Sequence, residues 1–161
     1  MIRPAEAGDL TAICALWNHI IRTSLATFNA TEKTPVDIAA TLAERQTAGH
    51  GFLVAETEGE FAGFGHYFQF RGGIGYRHTL EHTIYVTDAA QRQGIGRALL
   101  TALEAHARDA GHHSLFAGVS SGNPAGRAFH AAMGYADVVT LKEVGFKWDQ
   151  WLDLHLMQKF L

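Results

Sequence analysis

The stretch from Glu81 to Arg97 constrains this chain more than any other. Its first half, Glu81-His82-Thr83-Ile84-Tyr85-Val86-Thr87, is dense in Thr, Ile, Tyr and Val and holds neither Gly nor Pro, which predicts a strand. Its second half, Gln91-Arg92-Gln93-Gly94-Ile95-Gly96-Arg97, is a glycine-bearing loop, after which Leu99, Ala102, Leu103, His106 and Ala107 recur at helical spacing. A strand feeding such a loop leaves the first N–H groups of a helix without internal partners, at the positive end of the macrodipole. Arg92 and Arg97 add full charges on either side. An anion, a pyrophosphate for example, suits this loop. The same residues also fit a tight turn into an ordinary helix, and this stretch alone does not choose.

Two phosphate-binding patterns are excluded. No Gly-Lys-Ser/Thr follows the glycines, so this is not a P-loop. Gly94-x-Gly96 is followed by Leu99 where a dinucleotide fingerprint needs a third small residue, and it lies past mid-chain. At 161 residues the chain is one domain, 1–161, with no linker, repeat or low-complexity segment. A hydrophobic content of 47% against 18% charged residues is that of a globular protein, and a net charge of −3 argues against a nucleic-acid partner. The single cysteine, Cys14, excludes a disulfide framework and sits in an apolar helical pattern that predicts a buried, inert thiol. No run is long and apolar enough for a membrane span and no signal-peptide pattern opens the chain, so a cytoplasmic location is expected.

Taken in order, Ile2-Arg3 starts a short strand that Pro4 stops. Asp9 reads as the N-cap of a helix with Leu10, Ile13, Cys14, Trp17, Ile20 and Ile21 on one face. Thr34-Pro35 opens a second helix that Gly49 closes, and a hairpin turns at Glu58-Gly59. The glycine-rich segment Arg71–Arg77 precedes the central strand. After its helix, which Gly111 ends, Leu115–Val119 reads as a buried strand and Asn123-Pro124 opens a last helix that Gly134 terminates. Two strands close the chain, one within Ala136–Val144 and one along Trp151–Met157. The order β-α-α-β-β-β-α-β-α-β-β predicts an α/β fold with a mixed sheet flanked by helices.

That order, with Gln91-x-x-Gly94-x-Gly96 after the fourth strand, resembles the GNAT superfamily of N-acetyltransferases. Tyr76-Arg77-His78-Thr79-Leu80-Glu81-His82-Thr83-Ile84-Tyr85-Val86, Ser121-Gly122-Asn123, His130 before Gly134-Tyr135, Val144–Trp148 and Trp151–Leu154 narrow it. With Asn18-His19 and Thr27-Phe28, these resemble the phosphinothricin / methionine sulfoximine acetyltransferase branch across nearly the whole chain. The resemblance implies acetyl-CoA as co-substrate, direct transfer to an amino-acid amine in a ternary complex, and a homodimer.

It also implies roles for particular residues. Glu81 matches the base that frees the amine of its proton, against the plain reading of a carboxylate paired with Arg71 or Arg77. Ile84, Tyr85 and Val86 would lend backbone groups to the acetyl and pantetheine parts, and Arg92, Gln93, Gly94, Ile95, Gly96 and Arg97 would take the pyrophosphate. Asn123 is an N-cap by its position, and by resemblance also a CoA ligand. His130 stands where many relatives carry a tyrosine that protonates the departing thiolate; it could equally be a packed histidine, with Tyr135 as another donor. For the acceptor, Arg77 or Arg71 would hold the carboxylate, Ile74, Gly75 and Tyr76 would supply contacts, and Phe28 an apolar wall. Both arginines also fit surface ion pairs.

Three glycines make the segment Arg71–Gly75 unusually permissive, and the turn Lys147–Trp151 departs from the branch's pattern beside the expected acceptor site. Another amine, from an ordinary amino acid, a polyamine or a protein N-terminus, is therefore an alternative acceptor. A catalytically idle CoA sensor is a further alternative, which the presence of Glu81 and His130 disfavours. Among ten histidines, His78 and His82 would lie on one strand face about 13 Å apart, too far to share an ion, and His112-His113 reads as a solvated turn. No metal is expected.

Overall fold

In the computed structural model, which describes residues 1–161, the elements follow the expected order. They are β1 (Ile2–Pro4), α1 (Leu10–Thr23), α2 (Pro35–Thr47), β2 (Phe52–Thr57), β3 (Glu60–Gln69), β4 (Thr79–Val86), α3 (Ile95–Asp109), β5 (Ser114–Ser120), α4 (Pro124–Ala132), β6 (Ala136–Lys147) and β7 (Gln150–Phe160). The seven strands form one sheet in the order β1-β2-β3-β4-β5-β7-β6. Only β4 and β5 run parallel; every other neighbour is antiparallel. No helix is long and apolar enough to cross a membrane.

Local chemistry sets most boundaries. Thr34 and Asp37 form a reciprocal capping box at the start of α2, and Asn123 accepts from the Gly126 amide to cap α4. Glu58-Gly59 and Trp148-Asp149 turn their hairpins with both central residues at positive φ, the twist that two-residue hairpins require. Two expectations need correction. Asp9 does not cap α1 with its side chain: its carboxylate accepts from the Glu6 amide and from Arg3, closing a 3₁₀ turn before the helix. His78 lies outside β4, its ring 6.2 Å from that of His112, which is half-buried against His50 and Tyr67 while His113 is exposed.

Alternate residues of each strand face opposite sides of the sheet, so the sheet carries two cores. On one side Ile13, Trp17 and Ile21 of α1 and Ile38 and Leu42 of α2 cover Val54 and Phe64. Cys14 is buried there and its thiol meets the Lys33 carbonyl. On the other side Leu99, Leu100 and Leu103 of α3 pack with Tyr67, Leu80 and Leu115. These leucines are fully buried, so truncating one to Ala removes about 2–5 kcal/mol.

The first core encloses an imidazole. His66 is 2% exposed among the rings of Trp17, Phe52 and Phe64, and its Nδ1 accepts from Arg45 at 3.3 Å. Burial, reinforced by the Arg45 charge, lowers its pKa from 6.5 to about 3. The unfolded chain therefore takes up a proton that the folded chain refuses, and stability falls as pH drops from 6.5 toward 3. In urea titrations across that window, His66→Phe should flatten the slope of unfolding free energy by about 1.4 kcal/mol per pH unit. An unchanged slope would contradict a neutral buried imidazole.

Candidate active site

β4 pairs with β3 along its whole length, from Leu80 to Val86, but with β5 only from Thr79 to His82. Beyond His82 and Ala117 the two parallel strands part, because β5 continues alongside β7 as far as Ser120. The Phe70 amide donates to the Thr79 carbonyl and the Thr87 amide to the Ala62 carbonyl. By alternation Thr79, Glu81, Thr83 and Tyr85 direct their backbone groups at β3, while Leu80, His82, Ile84 and Val86 direct theirs at β5. At Ile84 and Val86 no strand is there to receive them. The backbone of Tyr85 is taken by β3, so of the three expected donors only Ile84 and Val86 face the gap.

The gap leads to the α3 N-terminus. Gly94 adopts φ +80° as the residue before the helix, and no side chain caps it. The Ile95, Gly96 and Arg97 amides are thus free, the first internal bond being Ala98 N–H to the Gly94 carbonyl. Arg92, itself at positive φ, and Arg97 are exposed and make no ion pair within the chain. Gln91 and Gln93 fold their amides back onto Asp88 and the Ala89 carbonyl, bracing the turn. The result is a concave run of N–H donors flanked by guanidinium groups, suited to a phosphate.

Glu81 stands where β4 and β5 begin to part, on the α1 side of the sheet. Its carboxylate makes neither an ion pair nor a hydrogen bond, so neither Arg71 nor Arg77 partners it. Oε1 lies 2.9 Å from where a Cβ on Gly118 would stand; glycine there makes room for the acid. Burial alone raises its pKa above the ordinary carboxylate range.

His130 lies on the opposite face, where α4 packs against the sheet. Its ring centroid is 5.1 Å from that of His82 and 5.3 Å from that of Tyr135. Its Nδ1 sits 2.7 Å from the Gly126 carbonyl, which can only accept, so Nδ1 carries the proton and the neutral ring offers a lone pair at Nε2. Burial lowers its pKa, although the Gly126 carbonyl opposes this. Its Nε2, both nitrogens of His82 and the Tyr135 hydroxyl are buried without partners within the chain. Burial, with Glu104 beside it, pushes the Tyr135 phenol up, so that group keeps its proton.

The acceptor-side residues divide. Phe28 packs over Gly145 of β6, where an added Cβ would stand 2.5 Å from the ring. Ile74, Gly75 and Tyr76 form an exposed 3₁₀ turn with Arg77, whose guanidinium reaches only the Ile74 carbonyl at 3.4 Å. Arg71 is exposed, 5.9 Å from the Tyr76 ring centroid, and borders a cleft with Arg45 and Phe68, the cross-strand partner of Glu81. The turn expected beside this site, Lys147–Trp151, contains a residue whose part the sequence reading missed. Lys147 is 3% exposed, and its ammonium donates to the Ile21, Ser24 and Thr27 carbonyls at 2.8, 2.7 and 3.1 Å. No local pattern marked it, since the strand buries Gly145 and Lys147 and exposes Phe146, the reverse of what those side chains suggest.

Comparison with known proteins agrees with this geometry. The acetyltransferase (GNAT) family matches residues 16–135. The L-methionine sulfoximine/L-methionine sulfone acetyltransferase of Pseudomonas aeruginosa is 37% identical over 161 aligned residues, covering 98% of this chain and 92% of that protein. The crystal structure of a phosphinothricin acetyltransferase of Sinorhizobium meliloti in complex with AcCoA superposes with a TM-score of 0.96 at 30% identity, over 100% of this chain and 88% of that one. The ribosomal-protein-alanine N-acetyltransferase of Brucella melitensis does so at 0.97 and 40% identity, over 100% and 99%.

Titration of the Glu81 side-chain carboxyl by ¹³C NMR should give a midpoint above the ordinary glutamate value of about 4.3. A midpoint at or below that value would show the carboxylate to be solvated or ion-paired.

Proposed function

Because the chain belongs to the acetyltransferase (GNAT) family, we propose that it transfers the acetyl group of acetyl-CoA to the α-amine of a small amino acid related to methionine sulfoximine or phosphinothricin. The observation that carries this reading is the placement, on one strand, of an unpaired, half-buried carboxylate at Glu81 and two unclaimed backbone rungs at Ile84 and Val86. The names of the Pseudomonas and Sinorhizobium proteins support the substrate class.

The residues present fit acetyl-CoA. The α3 amides, the backbone of the Arg92–Gly94 turn and the Arg92 and Arg97 guanidinium groups would hold the pyrophosphate. Ile84 and Val86 would pair with the pantetheine arm as a missing strand does, one N–H facing the carbonyl oxygen that gains charge. Asn123 keeps its amide nitrogen available while its oxygen caps α4. Acetyl-CoA supplies the activated acyl group; everything else falls to the chain.

An amino-acid ammonium must lose a proton before it can attack. Glu81, whose pKa burial raises above the ordinary carboxylate range, takes that proton, directly or through a water. The amine lone pair then forms the C–N bond, the C–S bond breaks, and the thiolate takes a proton. His130 can deliver one only after gaining it, since its single proton is committed to Gly126 and burial resists a second. Tyr135 retains its proton and is the competing donor. Arg77 and Arg71 carry guanidinium groups with no carboxylate partner in the chain, available to the acceptor carboxylate beside Ile74, Gly75 and Tyr76, and Phe28 walls the pocket.

Two further features belong to this proposal. Phe146, Trp148 and Trp151 expose half or more of their surfaces around the β6–β7 hairpin, and a second copy of the chain would cover them. A sedimentation mass of one chain would remove that dimer. Acetylation of a protein N-terminus is the second reading, which the name of the Brucella neighbour favours.

Thiol release from acetyl-CoA, measured over methionine sulfoximine, methionine sulfone, phosphinothricin, plain amino acids, spermidine and an alanine-initiated peptide, separates these readings. Turnover should be confined to the small amino-acid derivatives, and Glu81→Gln should lower it by about a hundredfold or more at neutral pH. Preference for the peptide would replace the substrate class. Equal rates in the variant would remove Glu81 from the chemistry.

A further inference from the structure

The segment after α1, Ser24 to Phe28, crosses the mouth of the gap on the face that carries Glu81. Leu25 sits over Gly122, where an added Cβ would stand 2.6 Å from its own Cβ, and Phe28 sits over Gly145. Between these two, Thr27 neighbours the Tyr85 hydroxyl. Gly145 pairs with Leu152, and Leu154, two residues on, approaches the same Gly118 position that Glu81 occupies. The segment therefore spans from β4 to β6 on the face that carries Glu81, and it contains no regular hydrogen-bonded structure to hold that course.

What holds it is a cation. The Ile21 carbonyl belongs to the last turn of α1, where carbonyls lack helical partners, and the Ser24 and Thr27 carbonyls belong to the segment itself. The Lys147 ammonium has three donors and spends them on these three acceptors. Its position is fixed by the tight Trp148-Asp149 turn, both residues at positive φ, and by the neighbouring Trp148 ring, 5.2 Å from Nζ. The negative end of the helix dipole favours a cation at this point.

We propose that Lys147 is the positioning residue of the acceptor site: its ammonium gathers the Ile21, Ser24 and Thr27 carbonyls and so sets Phe28 and Leu25 as the wall over Glu81. It touches neither substrate. The acetyl-CoA groove, built from β4 and the α3 N-terminus, does not depend on it. Loss of the ammonium thus loosens the acceptor wall while leaving the donor site intact. This inference rests on the reading of that face as the acceptor site.

The test uses the whole enzyme and two variants, Lys147→Met, which keeps the stem and removes the charge, and Lys147→Arg, which keeps a cation. Hydrogen exchange of residues 24–28 comes first, because it needs no turnover. The Met variant should exchange there about tenfold faster or more, with α3 and the 91–97 loop unchanged, and the Arg variant should be closer to wild type. In steady-state kinetics the Met variant should raise KM for the amino-acid acceptor about tenfold or more, with KM for acetyl-CoA within about twofold of wild type and partial recovery in the Arg variant. Exchange at 24–28 unchanged in the Met variant would overturn the inference. So would faster exchange with both KM values unaltered, or with both altered equally. Wild-type turnover on no small amino acid would remove the proposed function while the exchange result still decides whether Lys147 holds the segment.

Discussion

β4 and β5 run side by side for four residues and then separate, and the rest of the site follows from that separation. β4 is bound to β3 throughout its length, and β5 is bound to β7 throughout its own. Each strand therefore stays with its antiparallel partner, and the parallel contact between them gives way. Backbone N–H and C=O groups turned into such a gap require partners, from water or from a ligand with amides of its own. An extended chain with alternating amide groups, such as a pantetheine arm, meets that requirement with the spacing of a strand. The α3 amides at the end of the gap add unbonded donors suited to an anion.

The separation also divides the chemistry between the two faces of the sheet. Glu81, on the α1 side, is a carboxylate without a counter-ion, held in a space that only glycine at 118 leaves open. His130, on the α4 side, is a neutral imidazole with its proton fixed on Nδ1. An acid whose pKa burial raises and a neutral imidazole thus stand on opposite sides of the strand whose rungs are unclaimed.

Much of this was legible in the sequence, for identifiable reasons. The strand, the glycine loop and the helix behind it announce themselves through β-branched residues, Gly94 and leucine spacing, all local signals. Thr34-Pro35 and Asn123-Pro124 mark helix starts by capping chemistry that acts over three residues. What was not legible depends on long-range pairing. The residue at which β5 leaves β4 is set by β7, and no pattern within β4 encodes it. That Ile84 and Val86 face the gap while Tyr85 faces β3 follows only from the register. Lys147 resembles any lysine near a turn until the carbonyls 120 to 126 residues earlier in the chain are placed around it. Asp9 looked like a helix cap because its true partner, Arg3, comes from another element.

The central claim is that the free rungs of β4 form the donor site. Amide hydrogen exchange by NMR, with and without acetyl-CoA and no acceptor present, tests it most directly. The account predicts that the Ile84 and Val86 amides become protected along with Ile95, Gly96 and Arg97, while Thr83 and Tyr85, already bonded to β3, change little. Protection that bypasses Ile84 and Val86, or that appears equally along all of β4, would contradict it.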